Sequence, residues 1–312
     1  MRNSDPKTHN EPSKHRQHHV WQEYLRGWAT DGGLFCLQNG NVFPTGTKRV
    51  AMQKDFYKLQ DLTEQDMQIL FMFSEISAKH PMLREFHQLV LLQLAPVIFV
   101  RRNRANLRNL KRIDEHLDRY RTNVIENFHM RVEGDFLPVL QCIRAGCSTW
   151  YNDDRLCLNF LVFICIQYMR TRGIKERMVQ GLRQSLNLDY GRVWDILSIM
   201  SAFNIALALF SERKGRKLLF IKNDTAVSFI TGDQPVINLH GFVSGLPQKL
   251  SLYYPLSPSL ALCLSEYNEP PPLPVDAMTA EVVMELNCMV KSASHKQLFA
   301  QTRDALIDLE CP

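Results

Sequence analysis

Apolar and polar positions alternate in three textures along the chain. In 17–28, QHHVWQEYLRGW, residues Val20, Tyr24 and Leu25 share one helical face, which predicts a short helix. Asp31-Gly32-Gly33 marks a turn. Two short runs of strand-forming residues follow, 34–38 and 48–53. They are joined through Asn39-Gly40-Asn41, and the Asn-Gly step predicts a hairpin, with Phe56-Tyr57 closing this small β-unit.

From Thr63 to about Phe210 the period is helical. Thr63, with Asp66 three residues on, approximates a capping box. Behind it Leu70, Phe71, Phe73 and Ile76 form an apolar face. Pro81, Pro96, Gly134 and Gly146 divide the block. A long helix is predicted over 104–130, striped by Leu107, Leu110, Ile113, Leu117, Val124, Ile125 and Phe128. Residues 156–169 are apolar nearly all round and read as a central buried helix. Helices over 174–186 and 193–210 complete a bundle.

After Phe210, runs rich in β-branched and aromatic residues predict strands at 218–221, 227–230, 236–239, 252–254 and 260–264. Pro270-Pro271-Pro272, with Pro274, reads as a stiff loop, and 275–290 as a closing amphipathic helix. This order segregates β, α and β elements and predicts an α+β fold. A hairpin alone is marginal, so the two β regions are expected to share one sheet. Residues 1–16 are polar, with Pro6 and Pro12, and are expected to be a flexible tail. The rest, 17–312, reads as a single domain, divided at 62 and 210.

Composition narrows the class more than the function. The 312 residues are 45% hydrophobic and 22% charged, which excludes whole-chain disorder, a collagen and a coiled coil. A net charge of +5 permits acidic partners without demanding one. The polar N-terminus lacks the apolar core of a signal peptide, and no stretch reaches the roughly 20 apolar residues of a spanning helix. A soluble cytosolic protein with no membrane partner is expected. The eight cysteines form no CxxC pair and several lie in apolar runs, so they read as reduced packing residues. Cys142 and Cys147 lack the second close pair of a zinc site.

Four segments stand in a recognisable order: QHHVWQEYLRGW at 17–28, QYMRTRGIKERM at 167–178, FITGDQPV at 229–236 and YYPLSPSLALCLSE at 253–266. Together they resemble an uncharacterised microbial family, domain of unknown function 4238. Its members carry "QHYVPQFYLRNF" near the start, "QxxRTP" mid-chain, then "TSDNP" and "PLSP" late. Asn287 fits the family's "LN" in the last helix. Trp21 stands where the family usually has Pro, Arg172 replaces the Pro of "RTP", and Gly232 and Gln234 replace Ser and Asn. His18 or His19, Gln167, Arg170, Asp233 and Pro235 match. The resemblance implies an architecture rather than an activity.

The matched polar residues can carry chemistry. Asp233 follows a strand, where a carboxylate can hold a divalent cation, Mg²⁺ or Mn²⁺, or form an Asx-turn before Pro235. His18 and His19 are adjacent, so at most one points inward. That one can join Asp233 at the metal, act as a base, or simply bond backbone. Gln167 and Arg170 share a face of the buried helix; a buried Arg needs a partner, and Asp233 is the natural one. Arg101, Arg104, Arg108, Lys111 and Arg112 fall within about 100–120° of one another if placed on a helix, where they could track a phosphate backbone or merely face solvent.

No P-loop, GxGxxG, GxSxG or HExxH motif occurs. The reading with most chemical content is metal-assisted phosphodiester hydrolysis by His18 or His19, Gln167, Arg170 and Asp233. Such a reaction suits a nuclease-type effector, of the kind used in microbial defence against phage. The alternative is a non-catalytic module, binding nucleic acid or protein, in which these residues form a structural polar network.

Overall fold

The computed structural model describes residues 11–186, 190–241, 249–266, 268, 271–275, 277–309 and 311. Strand β1 (Arg16–His18) leads through Trp21 into a single helical turn, α1 (Gln22–Leu25), extended by a 3₁₀ turn to Trp28. The helix expected over 17–28 is therefore shorter, and both histidines precede it. Residues 11–16, expected in a flexible tail, are tied down. The Lys14 backbone N–H donates to Asn123 Oδ1 at 2.8 Å, and His15 Nδ1 meets Asp55 Oδ1 at 2.6 Å. The remainder of that tail, 1–10, lies outside the described residues.

The hairpin forms at the Asn-Gly step, but with a different second strand. Asn39 and Gly40 have φ of 51° and 77°, the left-handed pair a type I′ turn requires. They join β2 (Gly33–Gln38) to β3 (Asn41–Gly46). The run 48–53 is mostly turn, and β4 (Met52–Lys54) pairs with β1 instead.

The helical block comprises α2 (Glu64–Ser77), α3 (Pro81–Leu92), α4 (Ala95–Asn103), α5 (Leu110–Arg144), α6 (Asp154–Met169), α7 (Arg172–Leu186) and α8 (Trp194–Ser211). Thr63 and Asp66 complete a reciprocal capping box at α2. The face of α2 turned to the core holds Met67, Ile69 and Leu70, whereas Phe71 and Ile76 are exposed. The predicted long helix is displaced. Asn109, at φ 57°, breaks the chain before α5, which then runs through Gly134 without interruption. The five basic residues are consequently not on one helix. Arg101 ends α4 and Arg104 lies in a 3₁₀ turn. Arg108 lies between helices, and Lys111 and Arg112 open α5.

Helix α6 is the central buried helix expected from its sequence, and α8 packs along it. By length and composition α8 is apolar enough to cross a membrane, and about half of it is buried in the protein.

The C-terminal region holds β5 (Arg216–Lys222), β6 (Thr231–Gly232), β7 (Ile237–Asn238), β8 (Leu252–Ser257), β9 (Leu260–Glu266), α9 (Ala280–Ala293), β10 (Gln297–Ala300) and α10 (Asp304–Ile307). The run 227–230 is not a strand. Asn287 of α9 holds it as a loop, accepting from Ile230 N–H at 3.0 Å and donating to Ser228 O at 2.8 Å. The helix expected from Val275 begins only at Ala280, capped by Thr279. Pro270 lies outside the described residues.

The architecture is α+β, with strands in three antiparallel sheets rather than one. One of them, in the order β3-β2-β10-β6, does join the two β regions. The second, β5-β9-β8-β7, is wholly C-terminal, and β1-β4 is a separate pair. One large apolar core lies between the helical block and the sheets, and a smaller one surrounds α9. Two cysteines expected to be reduced, Cys288 and Cys311, form a disulfide that fastens the C-terminal end to α9.

Candidate functional site

The period-two geometry of β1 separates the two histidines. Gln17 and His19 turn inward; His18 turns the other way, its ring against the Lys48 backbone carbonyl. Gln17 Nε2 donates to Thr122 O at 2.7 Å and its Oε1 accepts from Tyr57 N–H at 2.6 Å. His19 N–H donates to Ala51 O at 2.9 Å, and its carbonyl accepts from Gln167 Nε2 at 3.0 Å. Burial, assisted by the Arg170 charge, drives the His19 pKa down to about 3, so the ring is neutral at ordinary pH.

Gln167 and Arg170 lie at the C-terminal end of α6. Arg170 donates to Gln167 Oε1 at 2.6 Å and pairs with Glu133 Oε1 at 2.8 Å. The expected Arg170–Asp233 pair does not form. The Arg170 side chain is 2% exposed, so its charge requires a carboxylate at contact distance. The packing of α5 on α6 supplies Glu133.

Asp233, at the end of β6, has a different task. Its Oδ1 accepts from His295 N–H at 2.7 Å, and its Oδ2 from Lys296 N–H at 2.8 Å and Gln297 N–H at 3.1 Å. This is a long-range staple of the α9–β10 connection, in place of a local Asx-turn. Burial pushes the Asp233 carboxyl up, against the pull of the three amides. The ligand set expected for a divalent cation, Asp233 with His18 or His19, is not assembled. Among the described residues no three His, Cys, Asp or Glu side chains are placed to hold a metal ion. The residues expected to hold the metal therefore do not fit one.

Among the described residues, Asp233 and His19 are linked through a hydrogen-bond relay. Gln297, held by Asp233, accepts from Ala51 N–H at 3.0 Å, and Ala51 O accepts from His19. Of the predicted set, the structure thus brings His19, Gln167 and Arg170 together and leaves His18 and Asp233 on other faces.

Three further residues complete the constellation. Glu126, His129 and Glu133 recur at i, i+3 and i+7 on the inner stripe of α5. His129 is buried and its ring lies 4.4 Å from that of Tyr57. Burial drives the His129 imidazole well below its usual range and raises Glu126 to about 7. Burial also raises Glu133, opposed by Arg170. Within this constellation, His19 Nδ1, Tyr57 OH, Glu126 Oε2, His129 Nδ1 and Arg170 Nε are buried and have no hydrogen-bond partner among the described residues. The signal for these residues is ionisable side chains on the stripe between Ile125 and Phe136. It is missed when the helix is ended near Met130.

The family-pattern residues knit around this centre. Tyr24 OH donates to Pro255 O at 2.7 Å, meets Thr231 Oγ1 at 2.6 Å and stacks on Tyr254. A Cβ on Gly27 would lie 2.0 Å from Leu256 O, so the "LRGW" turn packs backbone against backbone on the "PLSP" strand. The departures are accommodated locally. Trp21 packs its ring on Phe136 and Phe163. Arg172 pairs with Glu176 at 2.8 Å. At Gly232 a Cβ would meet Ser294 Oγ at 1.9 Å. Gln234 accepts from Thr171 and donates to Tyr168 O at 3.2 Å and Val236 O at 2.8 Å.

The basic residues do not form one track. Arg101 donates to Leu62 O and Arg104 pairs with Asp114 at 2.7 Å. Arg108, Lys111 and Arg112 have no ion-pair partner among the described residues. A surface hollow near Lys111 and Arg112 also holds Glu115 and His116.

A family model described as "Protein of unknown function (DUF4238)" matches residues 16–304. No curated protein and no solved structure matches.

Proposed function

Since this chain belongs to the DUF4238 family, whose description carries no activity, we propose from its own geometry that it is a hydrolase of phosphodiesters with an acid–base centre between α5 and α6. The observation that carries the reading is Glu126. Its carboxyl is raised to about 7, and its buried Oε2 has no hydrogen-bond partner among the described residues. A carboxylic acid poised near neutral pH can give up and recover a proton during turnover. Glu126 would protonate the leaving oxygen. The neutral imidazoles of His19 and His129 would orient the attacking water through their Nδ1 atoms. Arg170, fixed by Gln167 and Glu133, would steady phosphate charge through Nε. Arg108, just before α5, and Lys111 and Arg112 in its first turn have no ion-pair partner among the described residues and would contribute affinity for a polyanion.

A second reading rests on a specific observation too. Arg170 is already neutralised by Glu133 at 2.8 Å, as in a purely structural network. That reading makes the chain a binding module for nucleic acid or protein.

Incubation with labelled DNA and RNA, in Mg²⁺, Mn²⁺ and EDTA, separates them. Under the hydrolase reading wild type cleaves, and folded Glu126→Gln loses about 100-fold or more of the rate. The wild-type pH profile has a limb near 7 that the variant lacks. Absence of cleavage by folded, monodisperse wild type, with retained binding, establishes the second reading. The EDTA arm reports whether a divalent cation takes part.

A further inference from the structure

We infer that Cys142 and Cys147 are a redox-active dithiol, closed to a disulfide by hydrogen peroxide and reopened by thiols. The turn that ends α5 brings them together. Gly146, at φ 73°, lets the chain fold back on the helix. Its N–H donates to Ile143 O at 2.9 Å, and Cys147 N–H donates to Cys142 O at 2.9 Å. These two bonds define a Schellman end, in which the residues bonded across five positions commonly put their side chains in contact. An apolar pair is the usual filling of those two places. Here both are cysteines, and the Cys142 thiol is within hydrogen-bonding range of the Cys147 sulfur. Buried Trp150 anchors the far side of the turn, donating from Nε1 to Cys147 O at 3.0 Å. A pair that falls short of a zinc site for want of further ligands has what a disulfide needs.

The two sulfurs have different tasks. Cys147 Sγ meets Thr149 Oγ1 at 3.0 Å, and the Thr149 and Trp150 amides of the 3₁₀ turn Thr149–Asn152 also face it. The Thr149 hydroxyl and amide hold the Cys147 thiol below its usual range, while the residue keeps contact with water. Thiolate character and access select the cysteine that a peroxide attacks. The buried thiols lack both. Burial pushes Cys36 up to about 12 and Cys157 up to about 11, and it raises Cys165 as well. Cys142, packed against the core at the end of α5, is the resolving partner.

The Cys147 thiolate attacks one peroxide oxygen and the O–O bond breaks. Sulfur is oxidised to the sulfenic acid, and the second oxygen leaves as hydroxide, which takes up the proton lost by Cys147. The Cys142 sulfur then attacks Cys147 Sγ. An S–S bond forms, the S–O bond breaks, and the hydroxyl leaves with the Cys142 proton as a second water. Two thiols have lost two electrons and one peroxide has gained them. The inference is independent of the hydrolase reading.

The test is mass spectrometry of the full chain, alkylated under denaturing conditions without reductant, before and after a stoichiometric dose of hydrogen peroxide. Peroxide is expected to lower the alkylated cysteines from six to four, the two lost being Cys142 and Cys147. Both should appear in one linked species, lighter by two hydrogens, and dithiothreitol applied to the folded chain should return both thiols. Cys142→Ser, its fold checked by circular dichroism, is expected to stop at the Cys147 sulfenic acid, trapped by dimedone. Cys147→Ser is expected to leave Cys142 unoxidised at that dose. Wild type overturns the proposal without either variant if Cys147 is oxidised while Cys142 stays alkylated. So does oxidation of Cys36 or Cys157 as fast as Cys147, a disulfide between chains in place of the internal one, or six alkylated cysteines after peroxide.

Discussion

The Arg170 guanidinium closes on Glu133 Oε1 at 2.8 Å, with both side chains largely withdrawn from water. Removing one member of such a pair strands the other charge, at a cost of about 3–5 kcal/mol. Glu133→Ala is therefore expected to lower the unfolding free energy by about 3 kcal/mol, since Glu133 keeps some solvent contact. Urea titration followed by circular dichroism measures it.

Asp233 works through backbone rather than through Arg170. Asp233→Ala deprives three amides of their acceptor, and bonds to a charged group contribute about 1.5–3 kcal/mol each. Partial rescue by water leaves an expected loss of about 2–4 kcal/mol. The two sites share no hydrogen-bond partner. Asp233→Ala and Glu133→Ala should thus add to within about 0.5 kcal/mol in a double-mutant cycle. A large coupling energy would point instead to a direct Arg170–Asp233 pair.

Protonation should act on stability with two opposing signs. The His19 pKa is about 3 in the folded chain against 6.5 for the free ring. Its contribution is complete above 6.5 and is lost as pH falls from there towards 3, with a limiting slope of about 1.4 kcal/mol per unit. Glu126 is raised from 4.5 to about 7, so its contribution is complete below 4.5 and is lost as pH rises through 7. His19→Gln should flatten the acid limb of a plot of unfolding free energy against pH. Glu126→Gln should steepen it, and should stabilise the chain above pH 7 by about 1 kcal/mol after allowance for its half-buried position.

The Cys288–Cys311 bridge makes a chemical prediction. Alkylation under denaturing conditions without reductant should modify the six free cysteines and spare two. Cys288→Ser should destabilise by about 2–4 kcal/mol, readable as a lower thermal midpoint under non-reducing conditions only.

Legibility in the sequence followed the range of the forces involved. The Thr63–Asp66 capping box, the Asn39-Gly40 turn and the buried α6 are fixed by neighbours a few residues apart, and all three can be read directly. Errors arose where a local signal met a distant partner. Gly134 looks like a break, yet α5 continues because packing on α6 outweighs one glycine. The run 227–230 has strand composition, yet Asn287 captures its backbone. At the site, Gln167 and Arg170 were identifiable as polar residues on an apolar helix, and one of His18 and His19 as inward-facing, without a choice between the two. Glu126 and Glu133 were hidden because a carboxylate on a long charged helix looks solvated until its face is known. Sequence pairs Arg170 with Asp233 and leaves Glu133 unweighed, because Glu133 lies beyond the predicted end of the long helix; its place opposite Arg170 is set by the packing of α5 on α6.

The pairing of β2 with β10 joins residues 35–38 to 297–300. During synthesis the β2–β3 hairpin leaves the ribosome with one edge unsatisfied and waits for a partner 259 residues further on, from Gln38 to Gln297, before that edge is covered. Contact order this high is closed late. A nascent or prematurely terminated chain ending before Gln297 presents the β2 edge to any strand nearby. Quality control in the cell would therefore meet this protein through its first hairpin, whatever the state of the helices that follow.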